Sequence, residues 1–117
     1  MEKIDAVAAL AALAQDSRLD VYRLLVQAGP GGLPAGAIAD ALKLAPNTLT
    51  FHLDRLRVAG LVAVRRDGRS MIYTARYEAM NGLIAYLTEN CCAGAPDQCA
   101  PVSACKPLRA KRAKVPA

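Results

Sequence analysis

The sequence predicts a mainly α fold carrying one β-hairpin: a winged helix-turn-helix of about five helices and two strands. Three observations predict it. Two short helical patterns, over about 34–42 and 46–59, are joined by the tight turn Lys43-Leu44-Ala45, as in a helix-turn-helix. A hairpin signal follows directly. Leu61-Val62-Ala63-Val64-Arg65-Arg66 and Arg69-Ser70-Met71-Ile72-Tyr73-Thr74 flank Asp67-Gly68, which reads as a wing. The apolar content is mainly Ala, Leu and Val, with one Phe and no Trp, which favours helices. At 117 residues the chain has room for one domain and a real core, but not for two.

The remaining elements follow from periodicity and end signals. Residues 2–14 predict a first helix in which Ile4, Val7, Ala8, Leu10, Ala11 and Leu13 leave almost no polar face. Such a helix must be buried, in the core or against a partner. Asp16 or Ser17 is the expected N-cap of a second helix. Leu19, Tyr22, Leu24, Leu25 and Val26 supply its apolar stripe, and Gly29-Pro30-Gly31-Gly32 ends it. In the third helix, 34–42, Ile38, Ala41 and Leu42 face inward. Pro46 suits the first position of the fourth helix, where its missing N–H costs nothing, and Gly60 stops that helix. Residues 77–90 predict the last helix, with Met80, Leu83, Ile84 and Leu87 on one apolar face. The chain divides accordingly into a winged-helix domain over 1–92, a cysteine-bearing segment over 91–105 and a basic, disordered tail over 106–117.

Charge is unevenly placed. Residues 1–42 carry three basic and five acidic side chains, and 43–76 carry seven basic and two acidic. Residues 77–105 have three acids and no Lys or Arg, while 106–117 hold five basic residues and no acid. The helix-turn-helix and hairpin thus form a basic block between acidic flanks, which localises a phosphate-facing surface. The tail Lys106, Arg109, Lys111, Arg112 and Lys114 reads as a solubilising end or as a salt-sensitive phosphate contact.

On a wheel of 3.6 residues per turn, Leu49, Leu53 and Leu56 of the fourth helix face the core. Asn47, Thr48, Phe51 and Arg55 fall opposite, with Thr50 and His52 on the flanks. Asn and Arg can make bidentate base contacts, Thr can bond bases or phosphates, and Phe can pack on a thymine methyl. Arg65, Arg66 and Arg69 surround the wing tip, suited to phosphates or a minor groove. The expected partner is double-stranded DNA. For His52 helix packing or a phosphate contact is expected rather than metal binding, because the chain has no second histidine.

Other classes are disfavoured. The N-terminus shows no basic segment leading into an apolar run, so no signal peptide is expected. No stretch of 18 apolar residues occurs, so no membrane partner is expected and a cytoplasmic location follows. There, clustered cysteines read as ligands or reactive thiols rather than structural disulfides. Cys91, Cys92, Cys99 and Cys105 are the only cysteines, and four thiols beside a DNA-binding module suggest a sensor of a soft ion. A catalytic thiol needs an activating base or a helix N-terminus. These follow a helix C-terminus in an acidic segment, so neither an enzyme nor a catalytic cofactor is expected.

With these residues in view, the chain resembles the ArsR/SmtB family of metal-sensing winged-helix repressors. The resemblance covers about residues 10–90. It rests on Asp16-Ser17-Arg18-Leu19, Ala37-Ile38-Ala39-Asp40-Ala41-Leu42, Pro46-Asn47-Thr48-Leu49-Thr50-Phe51-His52-Leu53, Arg55-Leu56-Arg57-Val58-Ala59-Gly60-Leu61-Val62 and the wing. It implies a homodimer paired through the first and last helices that releases operator DNA when an ion binds. The sequence also departs from the pattern. The third helix lacks the Cys-Val-Cys of arsenite sensors, reading Gly36-Ala37-Ile38-Ala39-Asp40, and 76–89 lack the His of zinc sensors. Position 51, often His in relatives, is Phe51, and position 45, often a capping Ser, is Ala45.

Glu89-Asn90-Cys91-Cys92, with a cysteine shortly after, is similar to an arsenic-responsive branch whose site lies at the end of the last helix. That likeness implies As(III) or Sb(III), including methylated arsenite, as inducer on Cys91, Cys92 and Cys99. Cys105 stands as a substitute for Cys99, a fourth ligand or a spare thiol. Thiolates also suit zinc and other soft ions, although the spacing is not the Cys-x-x-Cys of common structural zinc sites. A disulfide-based redox switch, an inert tail and a winged helix that binds a protein instead of DNA are the other readings.

Overall fold

Among residues 1–94, the part of the chain that the computed structural model describes, five α-helices and three short strands follow in order. Helix α1 (Lys3–Leu13) buries Ala6, Ala9 and Ala12, small side chains that let its backbone approach the core closely. Its large residues Ile4, Val7 and Leu10 point outward, and Ile4 is 77% exposed. Helix α2 (Asp16–Ala28) has Gln15 as its N-cap, not Asp16 or Ser17: the extended Gln15 accepts the Arg18 backbone N–H on its side-chain oxygen at 2.8 Å. Asp16 becomes the first helical residue, where a carboxylate still favours the positive helix end.

A short strand β1 (Leu33–Pro34) then precedes α3 (Ala35–Leu42), so Pro34 lies outside the third helix. Proline holds its φ at −74° with ψ at 155°, a conformation that suits an edge strand and a helix N-cap alike. Lys43 takes a left-handed turn, and Pro46 opens α4 (Pro46–Val58) at its first turn. Strands β2 (Val62–Asp67) and β3 (Ser70–Ala75) form the wing, and the antiparallel sheet runs β1-β3-β2. Asp67 pairs with Ser70, so the hairpin loop is Gly68-Arg69 rather than Asp67-Gly68. Gly68 has φ +65°, the backbone that glycine supplies at the first position of a two-residue loop.

The core gathers Val21 and Leu25 of α2, Ile38 of α3, Leu49, Leu53 and Leu56 of α4, and Leu61 and Val62 at the start of the wing. This fixes the helix-turn-helix and hairpin as one rigid unit. Tyr22 buries its hydroxyl with no acceptor among the described residues; burial and then Tyr77 push its pKa to about 12. Helix α5 (Tyr77–Leu87) ends three residues short of 90. Thr88 Oγ1 donates to the Ile84 carbonyl at 2.7 Å, and left-handed backbone at Asn90, Cys92 and Ala93 precludes further α-helix. A tight 3-10 turn, Cys91–Gly94, follows. The expectations for Cys99, Cys105 and the tail 106–117 lie outside the described residues.

Gly32 joins α2 to the sheet at φ +70°, and a Cβ there would lie 2.5 Å from the Tyr73 carbonyl oxygen and 2.6 Å from Thr74 Cγ2. Backbone cannot yield as a flexible side chain does. Gly32→Ala should therefore combine left-handed strain with overpacking and lower stability by about 2–4 kcal/mol. Urea unfolding checks this, and an unchanged midpoint would refute it.

Candidate nucleic-acid interface and thiol site

Helix α4 separates its faces by spacing. Leu49, Leu53 and Leu56 recur at four and three residues and are buried. Asn47, Thr48, Phe51 and Arg55 are exposed on the other side. Phe51 is 52% exposed, a large apolar ring held in water. The Arg55 guanidinium carbon lies 5.0 Å from the centre of that ring, so cation–π attraction holds the cation over it. Together they present a flat apolar surface beside a five-donor fork, which suits a thymine methyl next to a guanine edge. Asp54 and Arg57 form an exposed ion pair at 2.6 Å, which engages one cation of the helix.

Two of the expected contacts are already occupied. Thr50 Oγ1 donates to the Pro46 carbonyl at 2.9 Å within the helix. Arg65 reaches back and donates from Nη2 to the Gly31 carbonyl at 3.1 Å, bracing the wing against the loop after α2. Arg66 and Arg69 remain exposed at the wing tip, with Arg66 Nε donating to the Gly68 carbonyl at 3.4 Å.

His52, placed by spacing on the flank of the outward set, takes the helix-packing role and not a DNA-facing one. It is only 6% exposed, because it lies three residues after Leu49 and four before Leu56 on the core stripe. Its Nδ1 faces Arg18 Nη1 at 3.4 Å. Arginine only donates, so a hydrogen bond here requires the neutral tautomer with its lone pair on Nδ1. Burial and then the Arg18 charge lower the His52 pKa below 6.5. Nothing in the sequence marks this pair, since 34 positions separate the two residues. The sign of the linkage is definite. The unfolded chain takes up the proton at a higher pH than the folded one, so stability is full above pH 6.5 and is lost as pH falls through the lowered value. Thermal melts from pH 7.5 to 5.5 should show a decline that His52→Asn removes. A decline of equal size in that variant would contradict the assignment.

Cys91 and Cys92 are both exposed, in the 3-10 turn separated from the end of α5 by Thr88, Glu89 and Asn90. Cys92 has φ 54° and ψ 36°, so the two thiols stand on a backbone that has left the α-helical path. Among the described residues no group of three or more His, Cys, Asp or Glu side chains is placed to hold a metal ion. Two adjacent thiols are a donor set for a soft, thiophilic centre. The same end of the molecule carries exposed Ile84 and Leu87 of α5. No described helix is long and apolar enough to cross a membrane.

Known proteins share the helix-turn-helix part of this geometry. A helix-turn-helix domain family matches residues 13–65. The HTH-type transcriptional regulator YgaV of Escherichia coli (strain K12) is 32% identical over 87 residues, covering 74% of this chain and 86% of the relative. Among solved structures, a fragment of Mb0332 from Mycobacterium bovis is described as a homodimeric winged helix-turn-helix DNA-binding domain of a possible ArsR-family regulator. It aligns with a TM-score of 0.60 at 27% identity, covering 74% of this chain and 80% of that one. A possible transcriptional regulator for arsenical resistance aligns with a TM-score of 0.59 at 26% identity, covering 68% and 79%.

Proposed function

Because the chain belongs to the ArsR/SmtB family of DNA-binding winged-helix transcriptional regulators, we propose that it is a cytoplasmic homodimeric repressor released from its operator by trivalent arsenic. The observation that carries the DNA-binding part is the outward face of α4, with Asn47, Thr48, Phe51 and Arg55 exposed and Arg66 and Arg69 on the adjoining wing. The dimer reading draws on the homodimeric Mb0332 fragment. It also draws on the exposed apolar residues Ile4, Val7 and Leu10 of α1 and Ile84 and Leu87 of α5, which a second copy would cover.

The inducer reading rests on the vicinal thiols Cys91 and Cys92, with Cys99 as the third ligand and Cys105 available as substitute or fourth, and on a neighbour named for arsenical resistance. The chemistry balances without redox. Each thiol forms one bond to arsenic, and its proton leaves with a displaced hydroxide as water. Three thiolates fill a trigonal pyramid around the lone pair. Closing those bonds ties the 91–105 segment to the end of α5, next to the dimer face, and changes the angle between the two DNA-reading heads. Moving a population from 1:99 to 99:1 takes about 5.5 kcal/mol of preference. Two equivalent sites in a dimer need supply only about half each, within the usual range of allosteric coupling.

The test is fluorescence anisotropy of the reduced protein on its own promoter DNA, titrated with arsenite. Release at micromolar arsenite is expected. Binding that ignores arsenite and antimonite but yields to zinc, or to peroxide with rescue by a reductant, would replace this inducer with a soft-metal or redox signal.

A further inference from the structure

We infer that Arg18 is a positioning residue for DNA recognition: its guanidinium pins the recognition helix α4, through His52, to the junction of α1 and α2. The inference rests on the reading that α4 recognises operator DNA, and it adds how that helix is held.

Three helices meet at this one side chain. The Arg18 backbone N–H is fixed by the Gln15 side chain at 2.8 Å, which sets the direction from which the arginine leaves α2. Its Nε donates to the Ala12 carbonyl at 2.7 Å. That carbonyl lies in the last turn of α1, where carbonyls have no partner within the helix and a cation meets the negative end of the helix dipole. Its Nη1 points at His52 Nδ1 at 3.4 Å. His52 in turn lies between Leu49 and Leu53 on the buried stripe of α4, while its neighbour Phe51 faces outward with Arg55 over its ring. A displacement of His52 therefore rotates or slides the Phe51–Arg55 pair. Arg18 also lines the groove of about 440 Å³ between α1 and α4, with Ala8, Ala11, Phe51, Arg55 and Val58 on its walls. The cation thus stands at the edge of an open groove between the two helices it joins.

Two features argue against a merely decorative contact. First, a planar guanidinium with fixed donors can hold the α1 carbonyl and the imidazole at a set angle, which a flexible ammonium cannot. Second, α1 itself carries the exposed apolar residues Ile4, Val7 and Leu10. Whatever repositions α1 acts on α4 through this hydrogen-bonded link as well as through the buried Ala6, Ala9 and Ala12.

The experiment compares wild type, His52→Leu, His52→Asn, Arg18→Met and the Arg18→Met/His52→Leu double variant, all as full-length protein. Affinity is measured by anisotropy on the protein's own promoter DNA and on a scrambled duplex of the same length. Leu replaces a buried ring by an apolar side chain and removes the acceptor. Asn places its side-chain oxygen near the position of Nδ1. His52→Leu should lose about 2- to 30-fold in operator affinity, the span of coupling carried by such networks, with scrambled-duplex affinity unchanged. His52→Asn should recover most of that loss. The double variant should bind no worse than the weaker single variant, which reports coupling between the two residues. A merely structural role would lower both affinities together, and rescue by Asn would fail. Operator binding by His52→Leu equal to wild type, or additive losses in the double variant, would overturn the inference while leaving the function intact. If wild type failed to prefer promoter DNA to the scrambled duplex, the DNA-recognition reading itself would fall.

Discussion

Cys91→Ser and Cys92→Ser, singly or together, should abolish arsenite-driven release while leaving operator affinity within about twofold of wild type, the usual reach of a surface substitution. Both residues are exposed and outside every α-helix and strand of the winged domain, so losing a thiol opens no cavity. Serine keeps the size and the hydrogen-bonding hydroxyl but replaces a soft donor with a hard one, which a thiophilic centre does not prefer. A coupling of about 1–3 kcal/mol, or about 5- to 150-fold in affinity, should fall to none, because the two thiolates left by a single replacement, or the one left by both, no longer tie the segment after α5 at three points. Cys99→Ser should behave in the same way. Cys105→Ser should leave release intact if that residue is a spare and abolish it if it is a ligand. Release that persists in Cys91→Ser/Cys92→Ser would remove the proposed site altogether. Apparent arsenite affinity measured without DNA, by protection of the cysteines from alkylation, gives an independent reading of the same bond formation.

Much of the fold is legible in the sequence because its periodicities are strong. Leu49, Leu53 and Leu56 recur at the helical interval, Pro46 marks a helix start, and Gly60 marks its end, so α4 and its outward face follow from the residue pattern alone. The wing is equally plain from its β-branched runs, but its loop is shifted by one residue. Local turn chemistry allows Asp-Gly and Gly-X alike, and only the Asp67–Ser70 pairing decides. Strand β1 is invisible at two residues, since a Leu-Pro pair has no period to read. Gln15 does not stand out as a cap because Asp16 and Ser17 have the better intrinsic preference; the extended backbone at Gln15 overrides it. The Arg18–His52 contact is not legible at all. It joins residues distant in the chain, and neither pattern nor propensity reports which buried polar groups meet. The first helix is half legible: its lack of a polar face signals burial, but the chain alone hides only Ala6, Ala9 and Ala12, and the larger Ile4, Val7 and Leu10 stay exposed.

The second large effect is expected on α4 and the wing, and it separates base reading from charge. Arg55→Ala should cost about 1–3 kcal/mol on operator DNA, or about 5- to 150-fold, as for loss of a base-contacting arginine. It should cost much less on scrambled DNA. Phe51→Ala should lose specificity at the same position, because it removes the ring over which Arg55 is held at 5.0 Å. Both residues are exposed, so a loss of this size cannot come from a damaged core, and unchanged thermal melts should confirm that. Arg66→Ala should act differently. A wing-tip cation on a phosphate should weaken binding uniformly across sequences and reduce the slope of log affinity against log salt by about 1. Arg65→Ala should combine a smaller DNA effect with a looser wing, since its guanidinium is committed to the Gly31 carbonyl. If Arg55→Ala lowered operator and scrambled affinity equally, Arg55 would be a phosphate contact. The face of α4 that reads bases would then have to lie toward Asn47 and Thr48, at the N-terminal end of the helix.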